Sequence, residues 1–214
     1  MKKQTIDILK NFATINNSIL IKKGSKLETV SGEKNILASV TVDDVFPVEH
    51  AIYSLSEFLS VLSLLNNPEL EYGNNAVSLR SGKTVVKYVY SSPAAIQSAP
   101  DIDLSVKDSD LLVSFDLASE QLAQVIKASS VMQLPDLSIS EKRLTVFNKK
   151  NKTGSDYHLI PESLHGSSGS SLGVSVSLLK MLPGNYSVRV SQKVIEFRSK
   201  DIPTLVYFVA VESD

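Results

Sequence analysis

The chain has 214 residues, of which 43% are hydrophobic and 21% are charged, so it can bury a core and is not a disordered chain. It has no cysteine, which excludes disulfides, thiol nucleophiles and the common zinc sites. With 22 basic and 23 acidic residues the net charge is -1, whereas a protein that holds nucleic acid by bulk charge is strongly basic. No apolar run approaches the ~18 residues of a membrane span, and residues 1–10 lack a signal peptide's apolar segment. We therefore expect a soluble protein that is not exported and has no membrane partner.

Two helices and five strands are predicted in the first half of the chain. The first helix covers 5–16, where Ile8, Leu9, Phe12 and Ile15 recur at helical spacing. The second helix covers 54–65 and stops before Pro68. Strands are predicted at 18–22, 26–30, 35–42, 76–80 and 84–90, the last two forming a hairpin. Residues 91–110, rich in Ser, Pro, Ala and Asp, are predicted to be a connector.

The second half follows a similar plan. A helix is predicted over 116–132, and a short fourth helix over 174–182. A Gly/Ser loop covers 166–173. Strands are predicted at 137–140, 144–148, 156–160, 186–190, 194–199 and 204–212.

An internal repeat is visible in the letters of the sequence. Ala76–Ser81 (AVSLRS) aligns with Val194–Ser199 (VIEFRS) at an offset of 118, and the same offset carries the first helix onto 123–134. Chance similarity of two hairpins is the alternative, but the shared order of elements favours duplication. The sequence therefore predicts two similar domains, 1–98 and 113–214, joined by a connector at 99–112.

No catalytic or metal-binding pattern is present. Residues 80–84 (RSGKT) resemble the end of a phosphate-binding loop, but Val77 stands where that loop needs glycine, and a strand follows instead of a helix. The aspartates of 101–110 lack the glycine and glutamate of a calcium loop. The three histidines (His50, His158 and His165) lack a metal-ligand spacing. We expect a protein that is not an enzyme and that uses no metal or other cofactor.

Four lysines lie on predicted helices. Lys3 and Lys10, seven residues apart, share a face of the first helix; Lys127 lies on the third, and Lys180 near the end of the fourth. Each alone is explained as ordinary solvated surface. If the two domains pack side by side, the four form a thin positive lining that attracts phosphates weakly, in a salt-sensitive and mobile way.

Several stretches resemble the sliding clamps of T-even-like bacteriophages. They are 9–16 (LKNFATIN), 51–53 (AIY), 58–59 (FL), 62–64 (LSL), 183–186 (PGNY) and 207–212 (YFVAVE). The resemblance covers nearly the whole chain; it is close over the first 65 residues and looser between about 70 and 175.

The resemblance implies an α+β DNA-clamp fold, with two similar domains that each pack two helices on antiparallel sheets. It implies a homotrimer closed head to tail, with the helices inside the ring. Such a ring encircles double-stranded DNA without regard to sequence and tethers the replicative DNA polymerase, which confers processivity. It also implies opening by an ATP-driven clamp loader, a groove for partners' C-terminal peptides, and action in the cytoplasm of the infected bacterium.

The resemblance further assigns residues. Lys10, Lys127 and Lys180 match basic helix positions of the family, with Lys3 as a further candidate, and all four are expected to face DNA. Ser130 stands where relatives carry a second basic residue after the position of Lys127, which thins the lining. Tyr207 and Val209 are expected to supply apolar surface for the partner groove near 91–110. The strand 204–211 and the hairpin 76–90 are candidates for the subunit interface.

Two other functions remain open at this point. A phage structural protein, such as a tail-tube or capsid-associated subunit, could also use duplicated β-rich domains to form a ring. Lysines on helices favour the clamp, because a tail tube has no need of helices around its lumen. A small-molecule enzyme is disfavoured, because no polar cluster converges on a site.

Overall fold

A computed structural model describes residues 1–100, 103–151, 154–166 and 171–212. The chain divides into two compact units, Met1–Asp101 and Ile102–Asp214, and their boundary falls inside the predicted connector. No helix in the described part of the chain is long and apolar enough to cross a membrane.

Residues 1–100 of the first unit form two α-helices and seven strands. The helices are α1 (Lys3–Ile15) and α2 (Leu55–Ser63), close to their predicted bounds. The strands are β1 (Ile19–Ile21), β2 (Gly24–Val30), β3 (Ile36–Phe46), β4 (His50–Ile52), β5 (Glu69–Tyr72), β6 (Ala76–Ser81) and β7 (Thr84–Val89). β1 pairs with β4, β2 with β3, and β5, β6 and β7 form an antiparallel sheet in that order. β4 and β5, which are only three and four residues long, were not predicted from the sequence.

The periodicity of α1 explains its packing. Its apolar residues Ile8, Leu9 and Phe12 are fully buried, and they recur at helical spacing. α2 packs against α1 and is capped by Ser54, whose side-chain hydroxyl accepts a hydrogen bond from the backbone N–H of Glu57. The buried apolar faces of α1 and α2 belong to the core of the first unit, and the polar face of α1 stays exposed.

An aromatic cluster beside β4 surrounds His50. The imidazole of this buried histidine stacks on the ring of Tyr90 at 4.9 Å and also contacts Phe46 and Tyr72. Its Nδ1–H donates a hydrogen bond to the carbonyl of Val48 at 2.9 Å. Burial lowers the pKa of His50, and the hydrogen bond to Val48 opposes this only in part.

This pKa shift predicts acid sensitivity of the first unit. When the folded-state pKa of a histidine is lowered, the unfolded state binds more protons, so the free energy of unfolding decreases as pH falls below about 6.5. We expect His50→Phe to lower the free energy of unfolding by about 1 kcal/mol at pH 7, because its hydrogen bond is missing. Below pH 7, the free energy of unfolding of this variant should depend less on pH than that of the wild type. Urea titrations between pH 7.5 and 5 measure both effects. The matched control is His158→Gln at an exposed histidine, and an equally steep acid loss in His50→Phe would contradict the assignment.

The second unit contains one α-helix, α3 (Ser119–Met132), and nine strands among its described residues. The strands are β8 (Val113–Leu117), β9 (Asp136–Ile139), β10 (Leu144–Phe147), β11 (Tyr157–Leu159), β12 (Glu162–Gly166), β13 (Leu172–Ser175), β14 (Tyr186–Val190), β15 (Val194–Ser199) and β16 (Val206–Ala210). One sheet has the order β11-β10-β9-β13, and in the other the strands of this unit follow the order β12-β8-β14-β15-β16.

Two helix predictions in this unit differ from the structure. The helix predicted from residue 116 begins at Ser119, because Val113, Phe115 and Leu117 alternate inward as a strand. The helix predicted over 174–182 is wrong. Residues 172–175 pair with β9, and a single 3-10 turn, Val176–Leu178, follows them. Buried Val174 and Val176 alternate with half-buried Ser175, which is the period of a strand and not of a helix.

The two units share their order of pairing. β1 pairs with β4 in the first unit as β9 pairs with β13 in the second, and a helix precedes β1 and β9 alike. The aligned stretches Ala76–Ser81 and Val194–Ser199 are β6 and β15, and each is the central strand of three consecutive antiparallel strands. The expectation of two α-helices per domain is met only by the first unit, since a 3-10 turn stands where α2 has its counterpart.

Candidate nucleic-acid interface

Two of the four candidate lysines lie together on α1. Lys3 and Lys10 are exposed on the side of the helix opposite its buried face. Lys10 Nζ lies 3.7 Å from the carboxylate of Asp7, and both side chains are largely in water. Such an exposed pair contributes ~0–1 kcal/mol, so a phosphate can compete with Asp7 for Lys10.

A groove of about 490 Å³ runs beside these lysines, between α1 and α2. Its lining includes Lys3, Lys10, Ile6, Leu59, Leu62 and Asn66. Besides these apolar residues and the two lysines, the groove is lined by Asp7, so α1 presents two cations and one anion at its edge.

Lys127 occupies the corresponding helix of the second unit. α3 buries Leu122 and Val125, and Lys127 is exposed. Ser130 is exposed one turn later on the same helix. A single cation on this face attracts phosphate without holding it tightly.

Lys180 is exposed but does not lie on a helix. It follows the 3-10 turn Val176–Leu178, and its backbone N–H donates to the carbonyl of Leu178. The prediction that Lys180 lies on a fourth helix is therefore wrong, because residues 172–175 form strand β13 and only a 3-10 turn separates it from Lys180. Of the four lysines, Lys3, Lys10 and Lys127 are the ones that the structure presents on helices.

The two candidate partner-binding residues are buried. Tyr207 and Val209 are both 0% exposed, and Phe208 between them is also buried. The N–H of Leu182 donates a hydrogen bond to the hydroxyl of Tyr207 at 3.2 Å, and burial raises the pKa of Tyr207. The expectation that these two side chains supply apolar surface is wrong, because β16 is covered on both faces. The place of the partner groove stays a prediction.

A buried carboxylate was missed in the sequence analysis. Glu196 on β15 is 2% exposed, and its Oε1 accepts hydrogen bonds from Arg198 Nη2 and Nε at 2.6 and 3.1 Å. Its sequence signal is the alternation of β15, where Ile195 and Phe197 face the core and Glu196 faces away from it. Among the described residues, no group of histidine, aspartate and glutamate side chains could hold a metal ion.

The chain is similar to known proteins in both sequence and fold. Residues 2–99 match the family model described as DNA polymerase processivity factor. The sliding clamp of Vibrio phage KVP40 is 37% identical over 140 residues, which are 65% of this chain and 63% of that protein. The sliding clamp of Enterobacteria phage T4 is 26% identical over 226 residues, an alignment that covers 100% of this chain and 97% of that protein.

The fold also has solved relatives. A structure of the A. fulgidus PCNA with the C-terminal region of FEN-1 bound has a TM-score of 0.70 and 11% sequence identity, and the match covers 98% of this chain and 95% of that one. At this identity the likeness concerns the fold alone, and it confirms the α+β clamp fold that the resemblance implied. The phage relatives and the match over residues 2–99 show that this chain is similar to the sliding clamps of T-even-like bacteriophages and, over its first half, to DNA polymerase processivity factors.

Proposed function

We propose that this chain assembles into a homotrimeric ring that encircles double-stranded DNA and tethers the replicative DNA polymerase of its phage. The observation that carries the proposal is the exposure of lysines on one helix of each unit, Lys3 and Lys10 on α1 and Lys127 on α3, in a chain with net charge -1. A ring stays on DNA by topology, so a few weak phosphate contacts are sufficient and leave it free to slide.

The comparisons support this reading over the structural alternative. The phage relatives carry the name sliding clamp, and none of the relatives reported above is a tail or capsid protein. The A. fulgidus PCNA was solved with a C-terminal region of a partner bound, which supports a groove for partners' C-terminal peptides here. In this proposal the protein has no catalytic role, an ATP-driven clamp loader opens the ring, and the site of action is the cytoplasm of the infected bacterium.

The subunit interface is proposed to join β7 of one copy to β11 of the next. Each strand lies at the end of its sheet, so each presents unpaired backbone groups that a neighbouring strand can pair with. Val85 and Val89 on β7 are 47% and 64% exposed, and Ile160, directly after β11, is 72% exposed. Covering this apolar surface favours association.

The charges beside these two strands are complementary. Lys83 directly precedes β7 and Lys87 lies on it, and both are exposed. Asp156 and Glu162, on either side of β11, are exposed as well. Opposite charges steer a head-to-tail contact and disfavour pairing of two identical edges.

Replacing Val85 and Val89 together by glutamate is expected to convert the trimer into monomers. The double variant removes the apolar contact of two valines, ~3 kcal/mol or about 100-fold in the dissociation constant, and adds acidic charge opposite acidic neighbours. Light scattering over a concentration series measures the mass. The matched control is the same change at Val45 and Val131, which are both 72% exposed and lie elsewhere in the fold.

The wild-type mass tests the ring itself. A mass near three subunits that falls at low concentration supports the proposal. A monomer at every concentration and salt would contradict the ring, and a control variant that dissociates as readily as Val85→Glu/Val89→Glu would contradict the choice of strands.

A further inference from the structure

The three lysines on α1 and α3 differ in their nearest charged neighbour. Nζ of Lys10 lies 3.7 Å from the carboxylate of Asp7, which precedes it by three residues on α1. Lys3 and Lys127 form no ion pair with any other residue that the structure describes. One of the three candidate DNA-facing cations therefore already has an anion beside it inside the protein.

Packing and capping of α1 give no reason for a carboxylate at position 7. The Asp7 side chain is half-exposed, and apart from Lys10 it has no ion-pair or hydrogen-bond partner among the described residues. The first turn of α1, where an acidic residue would stabilise the positive end of the helix dipole, contains none. An exposed pair three residues apart adds only little to the stability of a helix. What remains for Asp7 is its effect on the charge of Lys10.

The acidic residue of α3 has a different position. Glu120 is exposed in the first turn of α3, where a negative charge interacts favourably with the helix dipole. Seven residues separate it from Lys127, which is about 10 Å along the helix axis. On α1 (Lys3–Ile15), by contrast, Asp7 is the one acidic residue, and it lies beside a lysine. A carboxylate next to a candidate lysine is therefore a feature of α1 and not of α3.

Asp7 and the lysines of α1 open onto one surface. Lys3, Asp7 and Lys10 all line the groove between α1 and α2. A phosphate that approaches Lys10 from this groove also comes close to Asp7, because the two charged groups are 3.7 Å apart. This separation is well below the screening length of about 10 Å at 0.1 M salt, so Asp7 both neutralises Lys10 in part and repels the phosphate.

We propose that Asp7 competes with DNA phosphates for Lys10 and thereby sets how strongly α1 holds the DNA inside the ring. The competition keeps the contact weak, so that the ring slides. In a homotrimer three copies of Asp7 act on the same duplex, and small effects at separate sites add. The part that concerns DNA and sliding rests on the proposed function, and the part that concerns Asp7, Lys10 and phosphate does not.

A titration with inorganic tripolyphosphate tests the competition without DNA and without a ring. The amide NMR shifts of α1 report the binding of this polyanion. We expect Asp7→Asn, which keeps the shape and removes the charge, to tighten the dissociation constant about two- to fivefold, the range that an exposed ion pair can contribute. In a Lys10→Gln background the same change should gain clearly less, because only the direct repulsion is then removed.

The matched control for the titration is Glu71→Gln. It makes the same change in net charge at an exposed residue of the same unit, on strand β5 and not on a helix, and we expect it to leave the affinity of α1 unchanged. Equal affinity of Asp7→Asn and wild type overturns the competition. An equal gain with and without Lys10 overturns it as well, because Asp7 then acts by general repulsion.

Single-molecule tracking of the loaded ring on stretched duplex DNA tests the role in sliding. At low salt we expect Asp7→Asn to diffuse about threefold more slowly than the wild type or slower still, with the difference shrinking as salt is added. Glu71→Gln should diffuse like the wild type. Tighter tripolyphosphate binding with unchanged diffusion overturns the role in sliding. If the wild type does not load onto DNA, the proposed function and the sliding role both fail, and the titration alone still decides the competition.

Discussion

If the proposed function is right, replacing Lys10 and Lys127 together by glutamate is expected to abolish stimulation of DNA synthesis by a phage polymerase and to leave the fold and the proposed ring intact. Both side chains are exposed, one on each unit, so the change removes a cation from each proposed DNA-facing helix and puts an anion in its place. Phosphates are then repelled where they were weakly attracted. We expect primer-extension activity with the clamp and its loader to fall at least tenfold, toward the level without clamp.

The stability of this variant should hardly change. Exposed substitutions away from special features alter the free energy of unfolding by about 0.5 kcal/mol or less, and the exposed Lys10–Asp7 pair contributes little. The matched control is Lys22→Glu with Lys193→Glu, which makes the same change in net charge at exposed lysines outside the helices. If the control abolishes synthesis as well, net charge rather than position is responsible. If the Lys10/Lys127 variant loses the trimer, these lysines belong to an interface and not to a DNA-facing surface.

Replacing Val209 by aspartate is expected to unfold the second unit. The side chain is fully buried on β16, and an unpaired carboxylate there either stays charged at a cost of several kcal/mol or is protonated at a smaller cost. A cost of several kcal/mol is comparable to the whole free energy of unfolding of a small domain. Thermal unfolding followed by circular dichroism should show the transition lost or lowered by at least 10 °C.

The matched control for this variant is Val211→Asp, two residues further along and only half-buried, which we expect to cost about 1 kcal/mol or less. If Val209→Asp melts like the wild type and fails only to bind partner peptides, the side chain is a surface group and its burial in β16 is wrong. The two valines thus separate a core position from a surface position on one stretch of chain.

The periodicity of the sequence was sufficient for the long elements. The helices α1 and α2 were predicted from apolar residues at helical spacing, and the hairpin of β6 and β7 from two runs around Gly82. Their boundaries were right to within a few residues, because each buries its own apolar face in a way that the local pattern records. Short strands such as β4 and β5 carry too few residues for such a pattern.

Errors arose where a neighbour decides the conformation. Residues 172–176 form a strand and the start of a turn because β9 offers a partner edge, which no local pattern reveals. The same error placed Lys180 on a helix, whereas it follows a 3-10 turn. Tyr207 was expected to supply apolar surface for the partner groove, whereas its side chain is fully buried in β16.

The sequence was sufficient to predict the resemblance to sliding clamps, the repeat and the candidates Lys3, Lys10 and Lys127, because residue types and helical spacing are properties of the chain alone. Which of these candidates are exposed could be seen only in the folded protein, since burial depends on residues far away in sequence. The tertiary structure also brings the backbone of Val106 into hydrogen bonds with Arg189 and Glu196, which are 83 and 90 positions away. A hydrogen bond over such a separation leaves no local pattern in the sequence, because it depends on the register of two strands and on the path of a connector across them.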